Sequence, residues 1–345
     1  MCAGGSQKMT SIFPPARQPI REAWPLERLV LERSICLGMA LGPNTSRTYS
    51  SHLNSYLSFC ALHHFPVKPT PDTLSFYITF MSHHIQPRSV KSYLSGIVSQ
   101  LEPHFPSIRA SCQTQLVRRT LQGARRLYSH PIHRKRALLR DDLAFAYHTL
   151  PRPLAFDDLL WLTQLLCGFF GLLRLGELVC PDLVDLRDSS SYSLRNSIRI
   201  SPTELSFLLQ HQKMDSHFEG DRVVIPHSVI PPDPLTVFRT YLVARDSCFP
   251  LHPYLWVRSD GSHPSRSWFV RRLHLLFPSH DVSGHSMRAG GATSLAAAGV
   301  PPDRIRALGR WGSTAWERYV RKSPALLQTL LFHGRALHDP PFANA

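Results

Sequence analysis

The stretch GHSMRAGGATSLAAAGVPPDRIRALGRWGSTAWERYVRKSP occupies residues 284–324. It places His285 and Arg288 three residues apart, then a glycine pair at Gly290 and Gly291, then Trp311, then Tyr319 set among Arg318, Arg321 and Lys322. Ser283, just ahead, is a helix-capping residue type. A helix starting there carries His285 and Arg288 on one face, one turn apart. They would stand near the helix N-terminus, where unpaired backbone N–H groups favour an anion. The glycine pair lets a second backbone approach closely. Trp311 brings one indole donor and no acceptor. Each feature also has an ordinary reading: a capped helix with a surface histidine, and aromatic residues in a core.

Two upstream pieces extend the pattern. In GFFGLLRLGEL (168–178), Arg174 and Glu177 close an otherwise apolar run predicted as a helix over 155–179. At i and i+3 the carboxylate can pair with the guanidinium or orient it. A structural ion pair at a helix end is the plain alternative. In QHQKMDSHFEGDRVV (210–224), Lys213 falls in the turn between two predicted strands. Alone, it reads as a solvated surface lysine.

The chain separates into two parts of different character. Residues 1–25 are aperiodic and read as a disordered N-terminus. Helical periodicity over 43–64, 70–85, 87–101 and 111–128, broken by prolines, predicts a set of about four helices and a small helical domain over 26–130. SHPIHRKR (129–136) carries a proline and a charge run, so 131–140 reads as a basic linker. Beyond it, 141–345 reads as a larger domain. Helices are expected at 141–149, 155–179, 233–247, 264–277, 285–298, 301–309, 314–321 and 324–337. Strand-like segments NSIRIS, ELSFLLQ and DRVVIPH lie between 195 and 227. The fold class is mainly α with a small antiparallel β-sheet.

Composition narrows the partner. The 345 residues carry 39 Lys+Arg against 24 Asp+Glu, a formal charge of +15. Residues 1–135 hold 16 basic and 5 acidic residues, and nine Lys or Arg with no acid separate Glu102 from Asp141. Arg118, Arg119, Arg125, Arg126, Arg134, Lys135 and Arg136 form the dense part of this excess, a footprint suited to nucleic acid. A solvated face or a nuclear-import signal is the alternative. Seven cysteines without a CxxC pair fit a reducing, intracellular setting, nuclear in a eukaryote. No histidine cluster has metal-ligand spacing. The apolar run 159–173 is too short to span a bilayer, which takes about 20 residues, and reads as a buried core helix.

The order Arg174, Lys213, His285-x-x-Arg288, Trp311, Tyr319 resembles the tyrosine recombinases of the phage-integrase family. GHSMRAGGAT and GRWGSTAWERYVR are most similar to the enzymes of eukaryotic crypton- or DIRS-type mobile elements. The resemblance covers roughly 43–340. It implies a helical core-binding (SAM-like) domain followed by a catalytic domain, clamped on double-stranded DNA. It also implies site-specific recombination or integration, without metal, ATP or other cofactor, by a homo-oligomer, a tetramer on paired sites. Neither a membrane nor a small-molecule substrate is implied.

The chemistry is consistent with that set. Attack on a phosphodiester builds charge on its non-bridging oxygens, and Arg174 and Arg288 can each donate paired hydrogen bonds to them. Glu177 supports Arg174, and Trp311 adds an N–H. Tyr319 is the expected nucleophile, needing help because phenols titrate near 10. His285 is the candidate base. By family resemblance, Lys213 protonates the leaving 5′-oxygen and the product is a 3′-phosphotyrosine. The position given to Trp311 is more often His in the family. The C-terminal leucines of 324–337 fit packing on a neighbouring protomer or on their own domain. Rival readings are a type IB topoisomerase-like enzyme, a retired element-derived DNA-binding protein, and an unrelated basic helical scaffold.

Overall fold

In the computed structural model, which describes residues 22–131, 134–210 and 220–311, prolines and small hydroxyl residues mark many helix starts. Pro43, Pro71, Pro87, Pro234 and Pro302 each open a helix, where a missing N–H costs nothing. The chain divides into two units, Met1–His130 and Pro131–Ala345.

Among its described residues the first unit is helical throughout: α1 (Leu26–Gly38), α2 (Pro43–Leu62), α3 (Pro71–His84), α4 (Pro87–Leu101), α5 (Ile108–Gln113) and α6 (Gln115–Tyr128). That is six helices where periodicity suggested about four. One added element is α1, none of whose residues is buried. The other comes from a break in the stretch expected as one helix over 111–128, where Thr114 is extended at φ −59°, ψ 153°. Tyr56, Phe59, Leu74, Tyr77, Ile78, Val90, Ile97 and Val117 make the core. On α6, Val117 and Ala124 face inward, while Arg118, Arg119, Arg125 and Arg126 are exposed.

The second unit is built around α8 (Phe156–Phe170), buried on nearly every side from Leu159 to Phe169. A helix apolar all round belongs in a core. Its one interior amide, Gln164, donates to the Leu178 carbonyl at 2.6 Å. Around α8 stand α7 (Arg140–Thr149), α9 (Pro234–Cys248), α10 (Arg266–Leu276), α11 (Ser286–Ala297) and α12 (Pro302–Leu308). The sheet is β1 (Arg199–Ile200), β2 (Glu204–Leu209) and β3 (Asp221–Pro226), antiparallel in that order. In the β2–β3 register Leu205 faces Ile225 and Phe207 faces Val223, and all four are buried. The mainly helical fold with a small antiparallel sheet is thus observed.

Two predicted details change. The helix expected over 155–179 stops at Phe170, and Arg174 and Glu177 sit on a separate 3-10 turn (Leu175–Glu177). The segment expected as a linker, 131–140, falls within the second unit. Leu138 is buried there and its N–H reaches the Ser286 carbonyl at 3.0 Å. Among the described residues no helix is long and apolar enough to cross a membrane, and no group of His, Cys, Asp or Glu could hold a metal ion.

Candidate functional site

Two helix ends meet at the site, and both are unusual. At the end of α8, Leu173 N–H bonds the Gly168 carbonyl at 3.0 Å and Leu172 N–H bonds Phe169 at 3.3 Å. At the end of α12, Trp311 N–H bonds Arg306 at 3.1 Å and Arg310 N–H bonds Ala307 at 3.0 Å. Both are Schellman motifs, in which the residue past the cap turns left-handed and is usually glycine. Here it is Leu172 (φ 50°) and Arg310 (φ 55°). The glycines, Gly171 and Gly309, sit one position early, as caps. A left-handed L-residue costs about 1–2 kcal/mol, so each end holds strain that the surrounding packing must sustain.

The Leu172 carbonyl is the point where the elements join. Arg288 Nη1 donates to it, and Arg310 Nη2 donates to it at 3.3 Å. Arg288 Nη2 donates to the Gly309 carbonyl on the other helix end. Arg288 is buried, with its guanidinium carbon 4.3 Å from the centre of the Trp311 ring. Trp311 packs with Leu172, Ala292 and Ile305 in a small cluster. Its backbone is clamped from both sides, since Arg306 Nε also donates to the Trp311 carbonyl at 3.1 Å.

Arg174 and Glu177 hold each other twice. Arg174 Nη1 donates to Oε1 at 2.7 Å, and Arg174 N–H to Oε2 at 2.8 Å. The carboxylate thereby fixes both the turn and the guanidinium. Arg310 Nη2 reaches the same Glu177 Oε2 at 3.4 Å.

His285 is the residue before α11, and not its first turn as the sequence suggested. Ser283 stands two residues ahead of it and accepts the His285 N–H at 3.3 Å. The residue as a whole is exposed. Partial desolvation, then the nearby charges of Arg288 and Arg174, hold its pKa below 6.5. At neutral pH it is therefore an uncharged imidazole, able to accept a proton.

The glycine pair has a specific purpose. A methyl group at Gly290 would meet the Leu138 carbonyl, and one at Gly291 would meet the Phe169 carbonyl. The pair lets α11 touch the end of α8 and the entering chain at backbone distance, which carries Arg288 to the Leu172 carbonyl.

The structure therefore brings Arg174, Glu177, His285, Arg288 and Trp311 into one neighbourhood. Lys213 and Tyr319 lie outside the described residues. So do the helices expected at 314–321 and 324–337. The basic residues divide. Arg134 and Lys135 are exposed, with Lys135 Nζ donating to the His280 carbonyl. Arg136 instead pairs with Asp142 (2.5 Å) and Asp281 (2.6 Å) and so joins α7 to the loop before α11.

Sequence reasoning missed Arg310. Its side chain is 11% exposed, and it borders a cleft of about 240 Å³ with Phe170, Leu172, Asp221, Val223 and Leu308. Burial first, opposed by the charge of Glu177 and reinforced by that of Arg174, lowers its pKa from the usual guanidinium value. The available signal was its place directly after the Gly309 helix stop and before Trp311.

No protein-family model matches the chain, and no curated protein does. Solved structures do. The XerH site-specific recombinase bound to palindromic difH substrate, in a post-cleavage complex, aligns with TM-score 0.53 at 11% identity, over 76% of this chain and 72% of that one. The XerH pre-cleavage complex with difH gives 0.53 at 11%, over 83% and 78%. A lambda integrase dimer bound to a COC′ core site gives 0.49 at 13%, over 84% and 96%. With its helical first unit, and its second unit of helices around a three-stranded antiparallel sheet, the chain shares the fold of the XerH site-specific recombinase structures.

Proposed function

We propose that this protein breaks and rejoins double-stranded DNA through a 3′-phosphotyrosine, as a site-specific recombinase or integrase of a mobile element of crypton or DIRS type. The observation that carries the reading is the guanidinium cluster. Among the described residues, Arg174, Arg288 and Arg310 gather on Glu177 and two helix-end carbonyls, with Asp221 a second negative charge acting on Arg310. Positive charge in excess at a partly buried site suits an anion from outside the chain, and guanidiniums match phosphate geometry. The XerH structures, solved on their DNA substrate, support the same partner.

In this reading the Tyr319 oxygen attacks phosphorus and the bond from phosphorus to the 5′-oxygen breaks. Tyr319 gives its proton to the neutral His285 ring. Lys213 supplies a proton to the departing 5′-oxygen. Arg174 and Arg288 stabilise the charge on the non-bridging oxygens, the kind of preorganised donation whose loss costs about 2.7–4 kcal/mol. Attack by a 5′-hydroxyl on the phosphotyrosine reverses the step, so no ATP, metal or other cofactor is consumed. The first unit serves as the core-binding domain and the second as the catalytic domain. Recombination then needs several protomers, four on paired sites.

The test is covalent trapping. Purified protein is incubated with a library of nicked duplexes in chelator, denatured, and examined for DNA-linked protein, the linkage being mapped by mass spectrometry. An adduct at Tyr319 that is absent from Tyr319→Phe supports the reading. An adduct at another residue moves the nucleophile. Salt-sensitive DNA binding with no adduct on any duplex, including DNA from an element's own ends, favours a retired DNA-binding protein.

A further inference from the structure

We infer that Arg310 is a third phosphate-binding guanidinium of this site, and that it, rather than Trp311, supplies the third donor to the transferring phosphate. The inference deepens the DNA-cleavage reading above and rests on it for the identity of the anion.

Three observations point to Arg310. The first is its backbone. It occupies the left-handed position of the α12 Schellman motif at φ 55°, where glycine would be unstrained. Non-glycine residues held in this region gather at functional sites.

The second is its hydrogen bonding. Its four contacts, to the carbonyls of Gly171, Leu172 and Leu308 and to Glu177 Oε2, run from 3.2 to 3.4 Å. These lie at or beyond the long end for N–H donors. Among the described residues its Nε is buried with no partner. A buried donor left unmatched calls for an explanation, and an absent anion provides one.

The third is its company. Arg310 shares the Leu172 carbonyl with Arg288 and the Glu177 carboxylate with Arg174. Its side chain touches an acceptor of each of the two expected phosphate-binding arginines. A tie made only for stability gains little from placing a third cation among two others.

Trp311 has a different task on the same evidence. It is 9% exposed, its face lies under Arg288, and it packs with Leu172, Ala292 and Ile305. It works as the platform that positions Arg288.

The test uses the full chain with inorganic phosphate as the probe, and needs no cleavage. Melting temperature is followed against phosphate concentration for wild type, Arg310→Gly and Arg310→Gln. Without phosphate, Arg310→Gly is expected to melt at or above wild type, because glycine relieves the left-handed strain. Both variants are expected to need at least tenfold more phosphate for a given rise. A wild-type phosphate response in the variants overturns the inference, as does a wild type that phosphate does not stabilise. A melting temperature several degrees lower in Arg310→Gly also overturns it, since its contacts would then be holding the fold. Covalent trapping on the same proteins separates the two claims. A phosphate response that depends on Arg310, in a protein that never links to DNA, keeps the anion site and removes the cleavage reading. Trapping that survives in both Arg310 variants does the reverse.

Discussion

Arg288 lies over the face of Trp311, its guanidinium carbon 4.3 Å from the ring centre. A planar cation on an indole face is held by the ring quadrupole without using its edge donors. The guanidinium edge can then serve the carbonyls of Leu172 and Gly309. The tryptophan thus acts through Arg288, and its substitutions should separate by ring rather than by N–H.

Trp311→Phe keeps an aromatic face and loses the indole N–H. It should retain trapping within about tenfold of wild type, because an N–H at this position is not what Arg288 needs. Trp311→Ala empties a buried site and should lower stability by about 3–5 kcal/mol. Denaturant unfolding of both variants, paired with the trapping yield, checks this. Complete loss of trapping in a well-folded Trp311→Phe would restore the N–H to the mechanism.

The glycine pair should be intolerant of one carbon atom. Gly290→Ala and Gly291→Ala each push a methyl group into a carbonyl, of Leu138 and Phe169 respectively. Neither obstacle is a flexible side-chain tip, so the backbone must move. Overpacking of this kind costs about 1–3 kcal/mol. Urea midpoints should fall by that amount in both variants, and cleavage should fall further, since the displaced α11 carries Arg288.

How far the site could be read from the sequence depended on the kind of signal. Arg174, His285 and Arg288 were legible because their spacing and chemistry point one way. The strands were legible because β-branched or alternating segments are separated by turn residues, as where buried Val223 and Ile225 alternate with exposed Arg222, Val224 and Pro226, and most helix starts because prolines and caps announce them. The end of α8 was not legible. Its stop is a left-handed Leu172, a residue type that rules for helix ends do not expect there. The apolar run continues past it without a break. Arg310 was hidden for the same reason, since a left-handed arginine follows the Gly309 stop and looks like part of the next basic turn. Gly171 and Gly309 mark where the helices stop, but not that the next residue, a leucine in one case and an arginine in the other, takes the left-handed turn.

His285 gives a prediction with a definite sign. Its folded pKa lies below the ordinary 6.5, so the unfolded chain takes up the proton more readily. Its contribution to stability is fully present above about 6.5, and is lost as pH falls through the lower folded value. Trapping should decline with acidification over the same window, as the base becomes charged. The His285 ring resonance, followed by NMR, should titrate below 6.5, and Arg174→Gln should move that midpoint upward by removing a nearby positive charge. A midpoint that stays put in Arg174→Gln would mean the two side chains do not share a field.

The arginines of the basic region should fall into two classes by salt dependence. Arg118, Arg119, Arg125 and Arg126 are exposed on one helix that has no acid in its first turn, so nothing within α6 competes for them. If they meet phosphates, each contact contributes about 0.9 to the slope of log affinity against log salt. Neutralising all four to Gln should flatten that slope by as much as about 3.6, while leaving the unfolding midpoint near wild type. Arg136 should behave the opposite way. Its guanidinium is committed to Asp142 and Asp281, so Arg136→Gln should lower the melting temperature and leave the salt slope unchanged. Fluorescence anisotropy on a duplex at four or five salt concentrations, beside a melting curve for each variant, measures both. A flattened slope in Arg136→Gln would mean that DNA displaces its carboxylates, and an unchanged slope in the quadruple variant would move the DNA-binding face off α6.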